Sequence, residues 1–71
     1  MTNIKITKEI RPFKDNKVAE WIRVELYYNG ETFISGVCID VAGSELEAVI
    51  QAKKIVFNRF EKYGRKNNLL L

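Results

Sequence analysis

The architecture follows from residues 21–38, WIRVELYYNGETFISGVC. Apolar and polar residues alternate on both sides of Asn29-Gly30, as in two strands that each bury one face. An Asn-Gly pair favours a two-residue type I′ turn, because both of its positions need a positive φ. The sequence therefore predicts a β-hairpin in which Tyr28 lies opposite Glu31.

This hairpin register assigns the side chains to two faces of a sheet. The face richer in aliphatic residues is the predicted core face. It carries Ile22, Val24, Leu26, Phe33 and Val37. The opposite face, which we call the outer face, is predicted to carry Trp21, Arg23, Glu25, Tyr27, Ile34 and Cys38.

A third strand precedes the hairpin. Ile4, Ile6 and Ile10 share one parity and polar residues occupy the other, so one face of this strand is expected to be wet. It should end near Pro12, because proline lacks a main-chain N–H donor. Its Lys5 and Arg11 are then expected on the outer face.

A helix follows the hairpin. Ser44 and Glu47 have the spacing of a capping box, and the predicted helix runs from Glu45 to about Tyr63, with Gly64 as the residue that ends it. The predicted core stripe consists of Leu46, Val49, Ile50, Val56, Phe57, Phe60 and Tyr63.

Two features of this helix leave alternatives open. Lys53 lies inside the apolar stripe, so either its amine reaches solvent past a packed stem or it is buried against a carboxylate. Ala48, Ala52 and Ile55 form a second stripe, which is either a wide core contact or the face of a homodimer.

These elements predict an α+β fold: a three-stranded antiparallel sheet packed on one face by a single C-terminal helix (β-β-β-α). The domain is expected over residues 1–66, followed by a C-terminal tail over residues 67–71. The leucines of this tail, Leu69, Leu70 and Leu71, are expected either to pack back on the domain or to meet a partner.

This topology resembles the sheet-plus-helix arm domains of tyrosine-family integrases and the β-β-β-α core of double-stranded-RNA-binding domains. The resemblance implies nucleic-acid binding through a sheet or a helix end. The spacing of Cys38, Ser44, Glu47, Ala48 and Ala52 is similar to the strand-to-helix stretch of HicB-type antitoxin domains. Gly36-Val37 stands where that family has Pro-Gly, and no fourth strand is predicted.

Composition narrows the function classes. The chain has 71 residues, a net charge of +3, no His and one Cys. Without histidine, the chain has neither the usual general base nor a nucleophilic pair that depends on it. A single cysteine can form neither a disulfide nor a zinc site within one chain. We expect a non-enzymatic cytoplasmic domain that has no cofactor or metal and does not bind or span a membrane.

The favoured function is nucleic-acid binding through an aromatic and basic outer face together with a basic helix end. The candidate residues are Lys5, Arg11, Trp21, Arg23, Tyr27, Arg59, Lys62, Arg65 and Lys66. A competing interpretation has Trp21 and Tyr27 covering the sheet as a structural cluster. The alternative function is a protein-interaction or inhibitor module, such as a regulator from a mobile element, that could act as a homodimer.

Overall fold

The computed structural model describes residues 2–66, with side chains for residues 3–64. Three strands, β1 (Thr2–Pro12), β2 (Val18–Tyr28) and β3 (Glu31–Cys38), form one antiparallel sheet in the order β1-β2-β3. Two helices follow, α1 (Ile39–Ala42) and α2 (Glu45–Lys66), and α2 packs on one face of the sheet. The predicted α+β fold is confirmed.

The hairpin has the predicted turn and register. Asn29 and Gly30 both have positive φ, at 51° and 84°, and Tyr28 lies opposite Glu31. β1 pairs with β2 so that Ile4 lies opposite Leu26 and Lys5 opposite Glu25. The aliphatic face of β2 therefore continues into the isoleucines of β1.

The core lies between α2 and the β2–β3 half of the sheet. Ile22, Val24 and Leu26 are buried there against Val56 of α2. At the hairpin end, the ring of Phe60 packs edge-to-face on those of Tyr28 and Phe33. No comparable packing of α2 runs along β1 within the described residues, so Ile4, Ile6 and Ile10 stay exposed on the core side of the sheet.

The predicted core stripe of α2 is partly wrong. Leu46 is 71% exposed, and Ile50 and Phe57 are also exposed, whereas Ala48 and Ala52 are fully buried. Small side chains let the helix come close to the sheet: the hydroxyl of Ser35 on β3 donates to the Ala52 carbonyl at 2.6 Å. Two of the three residues of the second stripe are thus core, which removes that stripe as a dimer face.

Four other details of the helices correct, extend or agree with the prediction. α2 does not end before Gly64 but continues to Lys66, and Gly64 is buried within it. The sequence did not reveal α1, a single turn that ends at Gly43, whose φ is 101°. The Ser44 hydroxyl accepts the Glu47 N–H at 3.1 Å, as the predicted cap requires, and Lys53 is exposed, as it would be with its amine in solvent.

Candidate nucleic-acid interface

Within residues 2–66, no helix packs on the outer face of the sheet, which displays the predicted residues together. Trp21, Arg23 and Tyr27 of β2 share this face with Lys5 and Arg11 of β1, because the two strands pair residue for residue. Pairing in an antiparallel sheet keeps facing residues on one side.

Three arginines converge at the edge of β3. They line an open cavity of about 240 Å³ that lies around Gly36. A Cβ atom at Gly36 would lie 3.6 Å from Nη1 of Arg11, so the absence of a side chain there keeps the floor of the cavity open. The lining residues are Arg11, Arg23, Arg59, Ile34, Ser35, Gly36 and Ile55.

Arg59 reaches this cavity from α2, around the edge of the sheet. Its Nη1 donates to the main-chain carbonyl of Ile34 at 2.6 Å, which fixes the guanidinium beside β3. The sequence placed Arg59 in a separate basic helix end. The structure instead joins it to the outer face, and it adds Gly36 and Ile55, which were not among the candidate nucleic-acid-binding residues.

The three arginines differ in how far their charge is neutralised. Nε of Arg23 lies 3.1 Å from Glu25 and 4.0 Å from Glu9. Among residues 3–64, neither Arg11 nor Arg59 forms an ion pair with a carboxylate. The cavity therefore offers two unneutralised guanidinium groups, which suit an anionic ligand.

Trp21 is half-buried and already has ring partners. The guanidinium carbon of Arg11 lies 5.8 Å from the centre of its ring system, and the Phe13 ring meets it edge-to-face at 6.4 Å. A base could stack on this face of Trp21 only if Arg11 moved. The structure thus favours the interpretation of Trp21 as part of a structural cluster with the connection between β1 and β2.

Two buried polar atoms lie next to this cluster. Trp21 and Glu9 are cross-strand neighbours, and within the described part of the chain neither the indole N–H nor Oε1 of Glu9 has a hydrogen-bond partner. Unsatisfied buried polar groups are uncommon in folded proteins. Both atoms are shielded from solvent, and Oε1 of Glu9 lies within ion-pair distance of Nε of Arg23, at 4.0 Å.

Tyr27 and Glu25 form the other half of the outer face. The Tyr27 hydroxyl donates to the Glu25 carboxylate. This hydrogen bond lowers the pKa of Glu25 below its usual 4.5, and the hydrogen bond and charge of Arg23 lower it further. The same hydrogen bond to Glu25 raises the pKa of Tyr27 above its usual 10.0. Both side chains are therefore already partnered.

The remaining predicted residues lie outside the cavity. Lys5 is exposed on β1 opposite Glu25, and Lys62 is exposed one turn beyond Arg59 on α2. Arg65 and Lys66 belong to the last turn of α2, and their side chains lie outside the described residues, as does the Leu69–Leu71 tail.

A metal site and a membrane-spanning helix are two further features that the described residues can be tested for. Among residues 2–66, no group of three or more His, Cys, Asp or Glu side chains could hold a metal ion. Within the same range, no helix has the length and apolarity that crossing a bilayer requires. Cys38 is buried opposite Trp21.

No protein-family model, curated protein or solved structure matches this chain.

Proposed function

We propose that this protein binds nucleic acid through its outer face, with the sugar-phosphate backbone held by Arg11, Arg23 and Arg59. The observation that carries the proposal is the convergence of three guanidinium groups from three different elements on one open cavity. Arginine donates in a planar fork that matches phosphate oxygens, so such a cluster is suited to a phosphate.

The mode of binding is electrostatic rather than base stacking. Arg11 covers one face of Trp21, and Glu25 holds the hydroxyl of the exposed Tyr27, so both aromatic residues already have partners. Contacts to phosphate position a protein on nucleic acid but carry no sequence information directly. The expected activity is therefore weakly selective binding of DNA or RNA.

The test is a titration of labelled duplex DNA, single-stranded DNA and RNA with wild-type protein and with the Arg11→Gln and Arg59→Gln variants. We expect each variant to bind about fivefold more weakly at low salt, because it loses a phosphate contact. Lys54→Gln is the matched control: it also removes one positive charge, from an exposed site on α2 away from the cavity.

Two results would count against the proposal. One is the absence of binding at low salt, where electrostatic attraction is strongest. The other is an equal loss of affinity in Lys54→Gln and the two arginine variants, because this would assign binding to net charge alone.

A second candidate function is interaction with a protein through the uncovered core side of β1. Ile4, Ile6 and Ile10 are exposed there, and Ile10 is 72% exposed. Adjoining apolar side chains on a domain surface are typical of interaction sites. A partner that covers β1 would complete the core that α2 leaves open.

A further inference from the structure

The two edges of the sheet differ in how far they are protected. On β3, the guanidinium of Arg59 donates a hydrogen bond to the Ile34 carbonyl, so this acceptor is already used. On β1, only the side toward β2 is paired within the described residues, and β1 is 11 residues long. A long unprotected edge strand presents a row of main-chain donors and acceptors to another strand.

Apolar side chains lie beside this edge on two elements. Ile4, Ile6 and Ile10 are exposed on β1, and Leu46, Ile50 and Phe57 are exposed on α2. By helical spacing, Leu46, Ile50 and Phe57 lie on the flank of α2 that adjoins Phe60, the residue packed on Tyr28 of β2. The opposite flank is the one that carries Arg59 to β3. The apolar flank of α2 thus lies on the side of the helix away from Arg59 and the β3 edge.

We propose that a second copy of this chain pairs with β1, antiparallel and about a two-fold axis through Thr7. In this register Lys5 lies opposite Glu9 of the second copy, and the symmetry repeats the pair. Ile4 lies opposite Ile10 of the second copy, on the core side of the sheet. β1 is therefore self-complementary in charge, and Ile4 and Ile10 match on the core side, where Lys8 lies opposite Ile6 of the second copy.

The neighbouring registers that keep the same faces together lack this match. A shift in one direction puts Lys8 opposite Lys8 and Lys5 opposite Arg11, and like charges directly opposite each other are destabilising. A shift in the other direction puts Lys5 opposite Thr7, so no opposite charges face each other. Charge complementarity thus selects the register centred on Thr7.

The resulting dimer has a continuous six-stranded sheet with an α2 helix over each half. On the side of this sheet that carries the helices, Ile4 and Ile10 of the two β1 strands pair with each other, and Ile6 of each copy lies opposite Lys8 of the other. The proposal rests on the second candidate function, protein interaction, and commits it to self-association. It does not depend on nucleic-acid binding, which the titration described above tests separately.

The first experiment measures mass by sedimentation equilibrium on the full chain at several protein concentrations. We expect the wild type to shift from monomer to dimer, and Lys5→Glu to raise the dissociation constant at least tenfold, because the new carboxylate then faces Glu9. The double variant Lys5→Glu/Glu9→Lys should restore dimerisation. Lys54→Glu, which reverses an exposed charge on α2, is the control.

The double variant also separates association from folding. Within one chain Lys5 faces Glu25, and Glu9 lies 4.0 Å from Arg23, so the exchange weakens both intrachain contacts. Recovery of the dimer would then come from the restored intermolecular pair and not from a more stable monomer.

The second experiment locates the two-fold axis. Thr7→Cys should form a disulfide-linked dimer under mild oxidation, since the two introduced thiols would face each other across the paired strands. Asn3→Cys is the control: its thiol would lie opposite Arg11 of the second copy and about 27 Å from the equivalent thiol, too far to be cross-linked.

A monomer at every concentration overturns the proposal and leaves the C-terminal leucines or an unrelated protein as the occupant of this surface. A dimer that neither responds to Lys5→Glu nor cross-links through Thr7→Cys also overturns it, because the contact would then lie elsewhere.

Discussion

Glu25 occupies the centre of a surface that otherwise carries positive charge. Its carboxylate accepts from Tyr27 and pairs with Arg23. These contacts hold the outer end of the Arg23 side chain in place and neutralise part of its charge. A carboxylate at this position repels phosphate, but in the structure it also organises the arginine beside the cavity.

The lowered pKa of Glu25 predicts an acid-sensitive component of stability. Because the folded pKa lies below 4.5, the unfolded chain takes up the proton first as the pH falls. The stabilisation is complete above pH 4.5 and is lost as the pH falls through the folded pKa. Urea unfolding should show a steeper loss of stability for the wild type than for Glu25→Gln as the pH falls below 4.5.

Glu31→Gln is the control for this pH series, because Glu31 is an exposed carboxylate at the start of β3. It should keep the wild-type slope. The pH dependence of stability has the opposite sign for Tyr27. Its raised pKa stabilises the fold below pH 10.0, and this stabilisation is lost as the pH rises through the folded pKa. Equal acid slopes for wild type and Glu25→Gln would mean that this carboxylate is unpartnered in solution.

At the scale of elements, the hairpin was predictable and the buried face of the helix was predictable only in part. Asn29-Gly30 and the alternation around it are local signals, so turn, register and sheet faces all followed from sequence. The face of α2 that meets the sheet depends on how close the helix can approach. Ala48 and Ala52 permit a close approach, and larger residues such as Leu46 were left outside.

This packing predicts that Ala52 tolerates no enlargement. Ala52→Leu should lower the free energy of unfolding by about 1–3 kcal/mol or more, because Ser35 already lies against the main chain there. Leu46→Ala should change it by less than about 0.5 kcal/mol, since Leu46 is exposed. Chemical denaturation measures both, and the reverse ranking would show that Leu46 is the core residue.

The candidate site was predictable to a similar degree. Strand alternation placed Arg11 and Arg23 on one face, together with Trp21. The contribution of Arg59 was not predictable, because it depends on where α2 crosses the sheet and on its side chain turning around the edge of β3. The exposure of β1 had the same origin: a single helix covers two of the three strands, and the sequence does not say which two.

For the whole molecule, the small net charge limits the strength of any electrostatic binding. The charge is +3, and the cavity holds three arginines, one of them paired with Glu25. If about three phosphates are neutralised, the logarithm of the affinity should fall against the logarithm of salt concentration with a slope of about −3 on duplex DNA. A titration over several salt concentrations measures this slope, and one close to zero would indicate a non-electrostatic interface.

The hydrogen bond from Arg59 to the Ile34 carbonyl has a consequence for how far association can proceed. A sheet with two bare edges can add copies without limit and grow into a fibre. Here Arg59 occupies one main-chain acceptor in the middle of β3, so a strand added at that edge would have to displace its guanidinium. If two copies pair through β1 as proposed, this contact disfavours further addition at β3, and assembly is expected to close after two copies.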